Sequence, residues 1–583
     1  MILNSLMDAL GIGAILPLII HIISSGNASF GQSMPHALSF FLRFSTKDLL
    51  VFLCSIYFIK GILSLFVTRF LYSYAFHLRA LFSEILFNFY IQIPYETFLT
   101  RNQSSFIYSC SPQINALTSE YVIPFLILIS EMISLMVLGG LLLWVSPLLN
   151  LGLFCFLLLV LVSFFKITKK AMKLFGDEQN KAYMGVFHLV SGVFGAFKEI
   201  KIFQSEPYFL KRFNILIQTL YVYSVKSNTF NAVPKIILEM LFAVGLVGFC
   251  TYSFVTHQSP AWIVSMLGLY AGSAFRVLPA ATRSSGALSQ MRQSQVYLEA
   301  IYHELQAVKI SHFNLTQSTQ SKLIFQDRLE LKNIYFKYQK NDENTLKGLN
   351  IDIKKGEKVG IIGRSGAGKT TLMDIFLGII GPTSGQFLVD QKPIMTQTKA
   401  WKDLVGYVPQ TVNLLDTSIK ENIAFGVPLE DISEDTVWKV LQLADLDDFV
   451  RSLPHQLNTQ VGDKGVLLSG GQRQRISIAR ALYQDPDILF FDEATSSLDM
   501  ETEAAISKKI LDLNIHQTLV IIAHRLSTIM HCDTIFIMNK GEIEDSGTYS
   551  ELATRNPWLK KMNQMLIHQG TDILDSEAFR KGL

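Results

Sequence analysis

Lys358-Val359-Gly360-Ile361-Ile362-Gly363-Arg364-Ser365-Gly366-Ala367-Gly368-Lys369-Thr370-Thr371 reads as a strand, a glycine-rich loop and the first turn of a helix. The loop fits GxxxxGK[ST], and the strand before it and the helix after it are the context that pattern requires. Such a loop must fold tightly enough for its backbone N–H groups to converge on phosphate oxygens, with a helix N-terminus behind them. Gly363, Ser365, Gly366, Gly368 and Thr371 are therefore candidate phosphate-binding positions. Lys369 is expected to reach the β- and γ-phosphates of ATP, and the Thr370 hydroxyl to ligate Mg²⁺.

Downstream, the apolar run Ile488-Leu489-Phe490-Phe491 ends in Asp492-Glu493. A carboxylate at the end of a strand beside a phosphate loop can hold the Mg²⁺ shell, which is the role expected of Asp492. Glu493, one residue on, is placed to polarise the water that attacks the γ-phosphorus. Upstream, the polar stretch from about Ser311 to Asp327 marks a linker. Between loop and carboxylates stands Leu468-Ser469-Gly470-Gly471-Gln472-Arg473-Gln474-Arg475.

LSGGQ resembles the signature of ABC transporter ATPases, and further motifs of that family follow in register from Tyr338 to His524. The resemblance implies that Tyr338 stacks on adenine. It implies that Gln410, in Val408-Pro409-Gln410, is the Q-loop glutamine beside the Mg²⁺ and the reacting phosphate. Asp499, in Ser497-Leu498-Asp499, matches the D-loop, and His524, in Ala523-His524-Arg525, the switch histidine. In the family Ser469, Gly470, Gly471 and Gln472 would face the γ-phosphate held by the P-loop of another subunit. The implied assembly is a head-to-tail pair that sandwiches two ATPs. A second copy of this chain is the expected partner, with a paralogous half-transporter as the alternative.

The other half of the chain differs in kind. Of 51 Lys and Arg residues 20 precede position 301, as do 12 of 48 Asp and Glu, so the first part is +8 and the remainder −5. Crossing the hydrocarbon takes about 20 mainly apolar residues. Leu49–Leu71, Tyr121–Leu143, Leu149–Phe165, Ile236–Val255 and Trp262–Leu278 meet or approach that length. The opening run Leu6–Ile23 lacks a basic n-region and a small-x-small cleavage site, so it is read as a first span rather than a signal peptide. It starts so close to Met1 that the natural N-terminus could lie upstream. Eleven basic residues between Lys166 and Lys235, against none in the Thr256–Ala261 loop, put the long basic segments and the ATPase half in the cytoplasm.

The fold class expected is thus an all-α polytopic membrane domain of six transmembrane helices, exporter type, followed by an α/β P-loop ATPase domain. Its bounds are 1–302 for the membrane domain, 303–327 for the linker, 328–566 for the ATPase domain and 567–583 for a C-terminal tail. The small net charge of +3 gives no argument for nucleic acid, and the five cysteines form neither a CxxC pair nor a metal cluster. Two cytoplasmic pieces, Pro94-Tyr95-Glu96-Thr97-Phe98 and Phe203-Gln204-Ser205-Glu206-Pro207-Tyr208-Phe209, are candidates for coupling the two domains.

Cations inside or near the apolar runs bear on cargo. Lys60, Lys235, Arg276 and Arg283 would be costly against lipid, about 2.5–3.5 kcal/mol each at mid-bilayer. They are expected to line a water-filled cavity, to snorkel, or to pair with Glu131 or Glu239. Val233–Glu239, Phe275–Pro279 and Pro94–Phe98 resemble bacterial flippases of lipid-linked oligosaccharides, in which similarly placed basic residues face a polyprenyl pyrophosphate. Met34–Phe44 could form that family's short amphipathic helix. Lysine stands at 60 and 235 where arginine is expected, keeping the charge without the bidentate fork. The expected cargo is an anionic lipid-linked or amphiphilic molecule, and the expected setting a bacterial inner membrane.

Overall fold

The structure, a computed structural model, describes residues 6–7, 46–145, 147–256, 260–312, 323–338, 343–394, 398–492, 517–523 and 526–561. The chain divides into two compact units. One comprises Met1–Ile93 and Phe98–Thr316, the other Pro94–Thr97 and Gln317–Leu583.

The first unit is helical. Its elements are α1 (Thr46–Gln92), α3 (Ile123–Val145), α4 (Pro147–Gly195), α5 (Phe197–Ile202), α6 (Glu206–Val255), α7 (Pro260–Gln293) and α8 (Gln295–His312). The short α2 (Tyr95–Leu99) follows the Pro94 break, where proline cannot continue the preceding helix. Helix α1 has 47 residues, α4 has 49 and α6 has 50. At 1.5 Å per residue each runs about 70 Å, more than twice the hydrocarbon thickness of about 30 Å. Each therefore has room for a span and a long extension.

The runs expected to cross the membrane between Leu49 and Leu278 all fall within these helices. Among the described residues three stretches are long and apolar enough to span, Leu50–Gln92, Gln103–Gly140 and Glu206–Val255. Most of Leu6–Ile23 and all of Met34–Phe44 lie outside the described residues. The apolar surface of α1 also suits lipid, since Phe58, Leu65, Phe66 and Phe70 are largely exposed on one side of the helix. Helices α4 and α6 pack together, as do α3 and α7, with α7 also against α4 and α6. Before α3, the helical path from Gln103 passes through π-helical turns at Ser109–Gln113 and Thr118–Val122. The first contains Pro112, which has no N–H to give and needs the wider turn.

The second unit carries two sheets. A four-stranded antiparallel sheet has the order β2–β1–β4–β5, from β1 (Arg328–Phe336), β2 (Leu346–Lys354), β4 (Ser384–Val389) and β5 (Lys392–Pro393). The larger sheet has the order β10–β9–β3–β8–β7–β6, from β3 (Lys358–Gly363), β6 (Val405–Val408), β7 (Ile488–Asp492), β8 (Thr518–Ile522), β9 (Thr534–Asn539) and β10 (Glu542–Gly547). All its pairs are parallel except β9–β10. The near-continuous Val, Ile, Leu and Phe of β3, β7 and β8 are what a parallel sheet covered on both faces demands. Helix α9 (Lys369–Phe376) lies on it, with Phe376 and Phe490 rings 5.6 Å apart. Trp401 is fully buried beside them and donates its indole N–H to the Phe376 carbonyl at 2.9 Å.

One carboxylate ties the start of this unit down. Asp390, in the left-handed region at φ 49°, accepts from the backbone N–H groups of Gln326, Asp327 and Arg328 at 2.8, 2.7 and 3.0 Å. Burial pushes its carboxyl up, but these three donors and Lys355 outweigh that and leave it below the usual carboxylate range. The folded state thus holds this proton less tightly than the unfolded chain. Its contribution is present above about pH 4 and is lost as pH falls through the depressed folded value. Asp390→Ala is expected to cost about 1 kcal/mol, a value at the low end because the turn is solvent-lapped. Hydrogen exchange at the Gln326–Arg328 amides should quicken in the variant at pH 7, and the difference from wild type should shrink towards pH 3.

Candidate functional site

The site forms where the parallel strands end. Strand β8 lies between β3 and β7, and Ile522 is in register with both Ile361 and Asp492. The glycine-rich loop leaving β3 and the carboxylate closing β7 therefore open at the same edge, one strand apart. Ligands of open α/β sheets bind at this carboxyl edge.

The loop's geometry explains its glycines. Gly366 and Gly368 sit at φ 78° and 99°, which side-chain-bearing residues rarely adopt. A Cβ on Gly363 would lie 2.3 Å from the Met538 carbonyl oxygen of neighbouring β9. Gly368 is the N-cap of α9, so the first N–H groups of that helix point into the loop. Lys369 is 7% exposed, and its ammonium donates to the carbonyls of Gly363 and Arg364 at 2.9 and 3.2 Å. The cation is thereby held within the loop. Ser365 and Thr370 are exposed, whereas Thr371 is buried. Tyr338 reaches the same helix, with its hydroxyl 3.2 Å from Thr371 Oγ1 and its ring edge-on to Phe336 at 4.8 Å.

Asp492 is 8% exposed at the end of β7. Its carboxylate and the Thr370 hydroxyl offer only oxygen donors, the chemistry that Mg²⁺ accepts. Gln410 follows β6 and is exposed, so it too stands at the carboxyl edge, next to β7. Glu493, Asp499 and His524 lie outside the described residues.

Two groups at this edge were not expected from the sequence. The Tyr407 hydroxyl, on β6, hydrogen-bonds the Asp492 carboxylate. Burial, then Asp492, Asp374 and Tyr95, push its phenol well above the ordinary tyrosine range. Asp374, on α9, is pushed up to about 6 by burial and then by the charge of Asp492. A signal for Asp374 was present, since it interrupts the apolar run Leu372-Met373-Asp374-Ile375-Phe376. Tyr407 carried none, because a tyrosine in a strand is ordinary.

Ser469 caps α12 (Gly470–Leu482) through a capping box. Its hydroxyl accepts the Gln472 N–H at 3.2 Å, and Gln472 Oε1 accepts the Ser469 N–H at 2.8 Å. The serine-to-glutamine spacing of the signature is thus the spacing of a helix start. The cap leaves the serine O–H and the N–H groups of Gly470 and Gly471 at an exposed N-terminus. The helix is anchored near its other end by Arg480. Its Nε donates to the Asn422 carbonyl at 2.7 Å, Nη1 to the Asn413 carbonyl at 3.1 Å, and its guanidinium covers the Phe425 ring at 4.6 Å.

In the helical unit, Lys60 is half-buried on α1 with its ammonium over the Tyr57 ring at 5.4 Å. It lies on the side of α1 away from Phe58 and Leu65. Lys235, on α6, is exposed and 3.9 Å from Glu239 one turn on. Arg276 is half-buried on α7, and Arg283 lies two turns further along the same face. Arg283 Nε donates at 2.7 Å to Glu131 on α3, itself only 8% exposed. Of the settings anticipated for these cations, carboxylate pairing therefore describes Arg283 and Lys235.

Comparison with known proteins adds two family matches. The profile described as ABC transporter matches residues 346–496, and that described as ABC transporter transmembrane region matches 2–266. The heterocyst differentiation ATP-binding protein HepA of Nostoc sp. is 34% identical over 361 residues, 60% of this chain and 58% of that protein. The ATP-dependent lipid A-core flippase of Chromohalobacter salexigens is 31% identical over 384 residues, 65% of each. The matched stretches thus take in less than two thirds of either relative's length. A solved bacterial Atm1-family ABC exporter with ATP bound superposes with a TM-score of 0.78. That match covers 96% of this chain and 97% of the other at 22% identity, a likeness of fold.

Proposed function

The chain belongs to the ABC transporters, with the family's transmembrane region ahead of its ATPase domain, and on that basis we propose that it is an ATP-hydrolysing exporter or flippase. It works as a head-to-tail pair, by preference with a second copy of itself, and moves an anionic lipid-linked substrate across a bacterial inner membrane. A polyprenyl-diphosphate oligosaccharide is the specific candidate.

The chemistry follows from the site. Lys369 and the loop N–H groups draw the β- and γ-phosphates into the ring, while Thr370, Asp492 and Gln410 hold Mg²⁺. When bound, Mg²⁺ neutralises charge on the β- and γ-oxygens. Glu493 polarises the attacking water, His524 and Asp499 complete the γ-phosphate surroundings, and Tyr338 stacks on adenine. Ser469, Gly470, Gly471 and Gln472 close over the γ-phosphate of the partner's nucleotide. The assignment of Pro94–Thr97 to the ATPase unit rather than to the helices around it supports a coupling role for Tyr95.

The observation that carries the cargo reading is the pair of half-buried cations, Lys60 and Arg276, within helices otherwise made for lipid. Such charges mark a substrate path or an internal pair, and an anionic headgroup is what they would select. In proteoliposomes, polyprenyl-diphosphate saccharides should stimulate ATP hydrolysis several-fold. Lys60→Gln with Arg276→Gln should remove the stimulation and leave the basal rate intact. Stimulation by unrelated amphiphiles with none by the saccharide lipids would assign the chain another lipid, a peptide or a drug instead.

A further inference from the structure

The register of β6 and β7 gives Asp492 a neighbour outside the family motifs. Tyr407 is paired with Phe490 in parallel, so Tyr407, Phe490 and Asp492 stand on one face of the sheet. A tyrosine there reaches diagonally to the residue two further along the next strand. Its phenol O–H meets the Asp492 carboxylate accordingly. From the helix on this face, Asp374 brings a second carboxylate close enough to raise the cost of charge on both. An aspartate beside another anion is driven to turn away from it, and a single donor on one oxygen opposes that rotation.

We propose that Tyr407 is a positioning residue that holds the Asp492 carboxylate in the orientation receiving Mg²⁺, with Asp374 as the flanking carboxylate that makes this hold necessary. The proposal rests on the reading of Asp492 as a metal ligand. One oxygen of Asp492 accepts from the phenol, which leaves the other oriented for the cation on the side of the P-loop. Partners that orient metal ligands in this way are worth about 10- to 100-fold in metal affinity.

The test uses the full-length protein in nanodiscs and Mn²⁺ as the probe, read by electron paramagnetic resonance in the presence of ATP. ATP affinity without metal and the melting temperature are measured alongside. Tyr407→Phe removes only the hydroxyl. It is expected to weaken Mn²⁺ binding about 10-fold and to raise the Mg²⁺ concentration for half-maximal ATPase by the same factor. Metal-free ATP affinity should stay within twofold of wild type. In the double variant Tyr407→Phe with Asp374→Asn, removing the flanking charge should restore most of the lost affinity. Metal affinity within twofold of wild type in Tyr407→Phe overturns the proposal. So does a loss that Asp374→Asn leaves untouched. Should Tyr407→Phe melt several degrees low, Tyr407→His, which keeps a ring and a donor, must recover metal affinity, and failure there overturns it too. Wild-type protein that binds Mn²⁺ no better than Asp492→Asn refutes the metal-ligand reading itself, a result distinct from failure of the Tyr407 hold.

Discussion

Replacing Lys369 with alanine is expected to lower ATP hydrolysis at least about 100-fold, the scale on which removal of one preorganised charge from a phosphoryl-transfer site acts. The side chain does two things that alanine cannot. Its ammonium lies inside the loop, donating to the Gly363 and Arg364 carbonyls, and so brings its charge to where the phosphates would sit. Its stem is buried, so truncation also loses packing and strands carbonyl acceptors, at about 1–3 kcal/mol. Lys369→Met separates the two effects because it keeps most of the stem and loses the charge. The methionine variant should match alanine in lost rate and melt closer to wild type. Equal melting with normal turnover in Lys369→Met would refute the role of the charge. ATPase assays and thermal melts on the reconstituted protein decide it.

How much of this was legible in the residues depended on distance along the chain. The P-loop is local chemistry. Fourteen consecutive residues from Lys358 to Thr371 specify strand, turn and helix start, and the structure places them accordingly. Asp492 was equally plain, as the acidic end of an apolar strand. The membrane helices were legible because apolar length is a one-dimensional property, but their rotation is not. Whether Arg283 faces a cavity or Glu131 depends on how α3 meets α7, 152 residues apart in sequence, and hydropathy carries no such information. The same reasoning covers Tyr407 and Asp374. They meet Asp492 through the register of β6 on β7 and the seat of α9, both made by residues far apart in the chain. The capping box in Ser469–Gln472 is a different case. Its S-x-x-Q spacing was present in the sequence, but the functional weight of the glycines drew attention away from it.

Mixing two inactive forms of the chain is expected to restore hydrolysis, and this tests the pairing directly. Ser469 caps a helix whose exposed N-terminus is built to receive an anion, and its cap uses the hydroxyl as acceptor while the O–H still donates. If that donor serves the partner's phosphate, Ser469→Ala disables the site of the opposite chain. Lys369→Ala disables the site of its own chain. In a mixed dimer both defects then fall in one site, and the other site is intact. Random co-assembly makes half of all dimers mixed, so sites that turn over independently recover about a quarter of the wild-type rate in a two-fold dimer. Self-contained sites would give no more than the mean of the two parents. The serine change also removes an N-cap, at about 1 kcal/mol. Ser469→Asp is the stability control, since aspartate caps as well but puts a negative charge where the phosphate would lie. Asp at 469 should therefore melt like wild type, hydrolyse as poorly as alanine, and complement Lys369→Ala equally well. Recovery confined to co-assembled chains, absent when the two variants are reconstituted in separate vesicles and then combined, ties the activity to a site shared between two subunits.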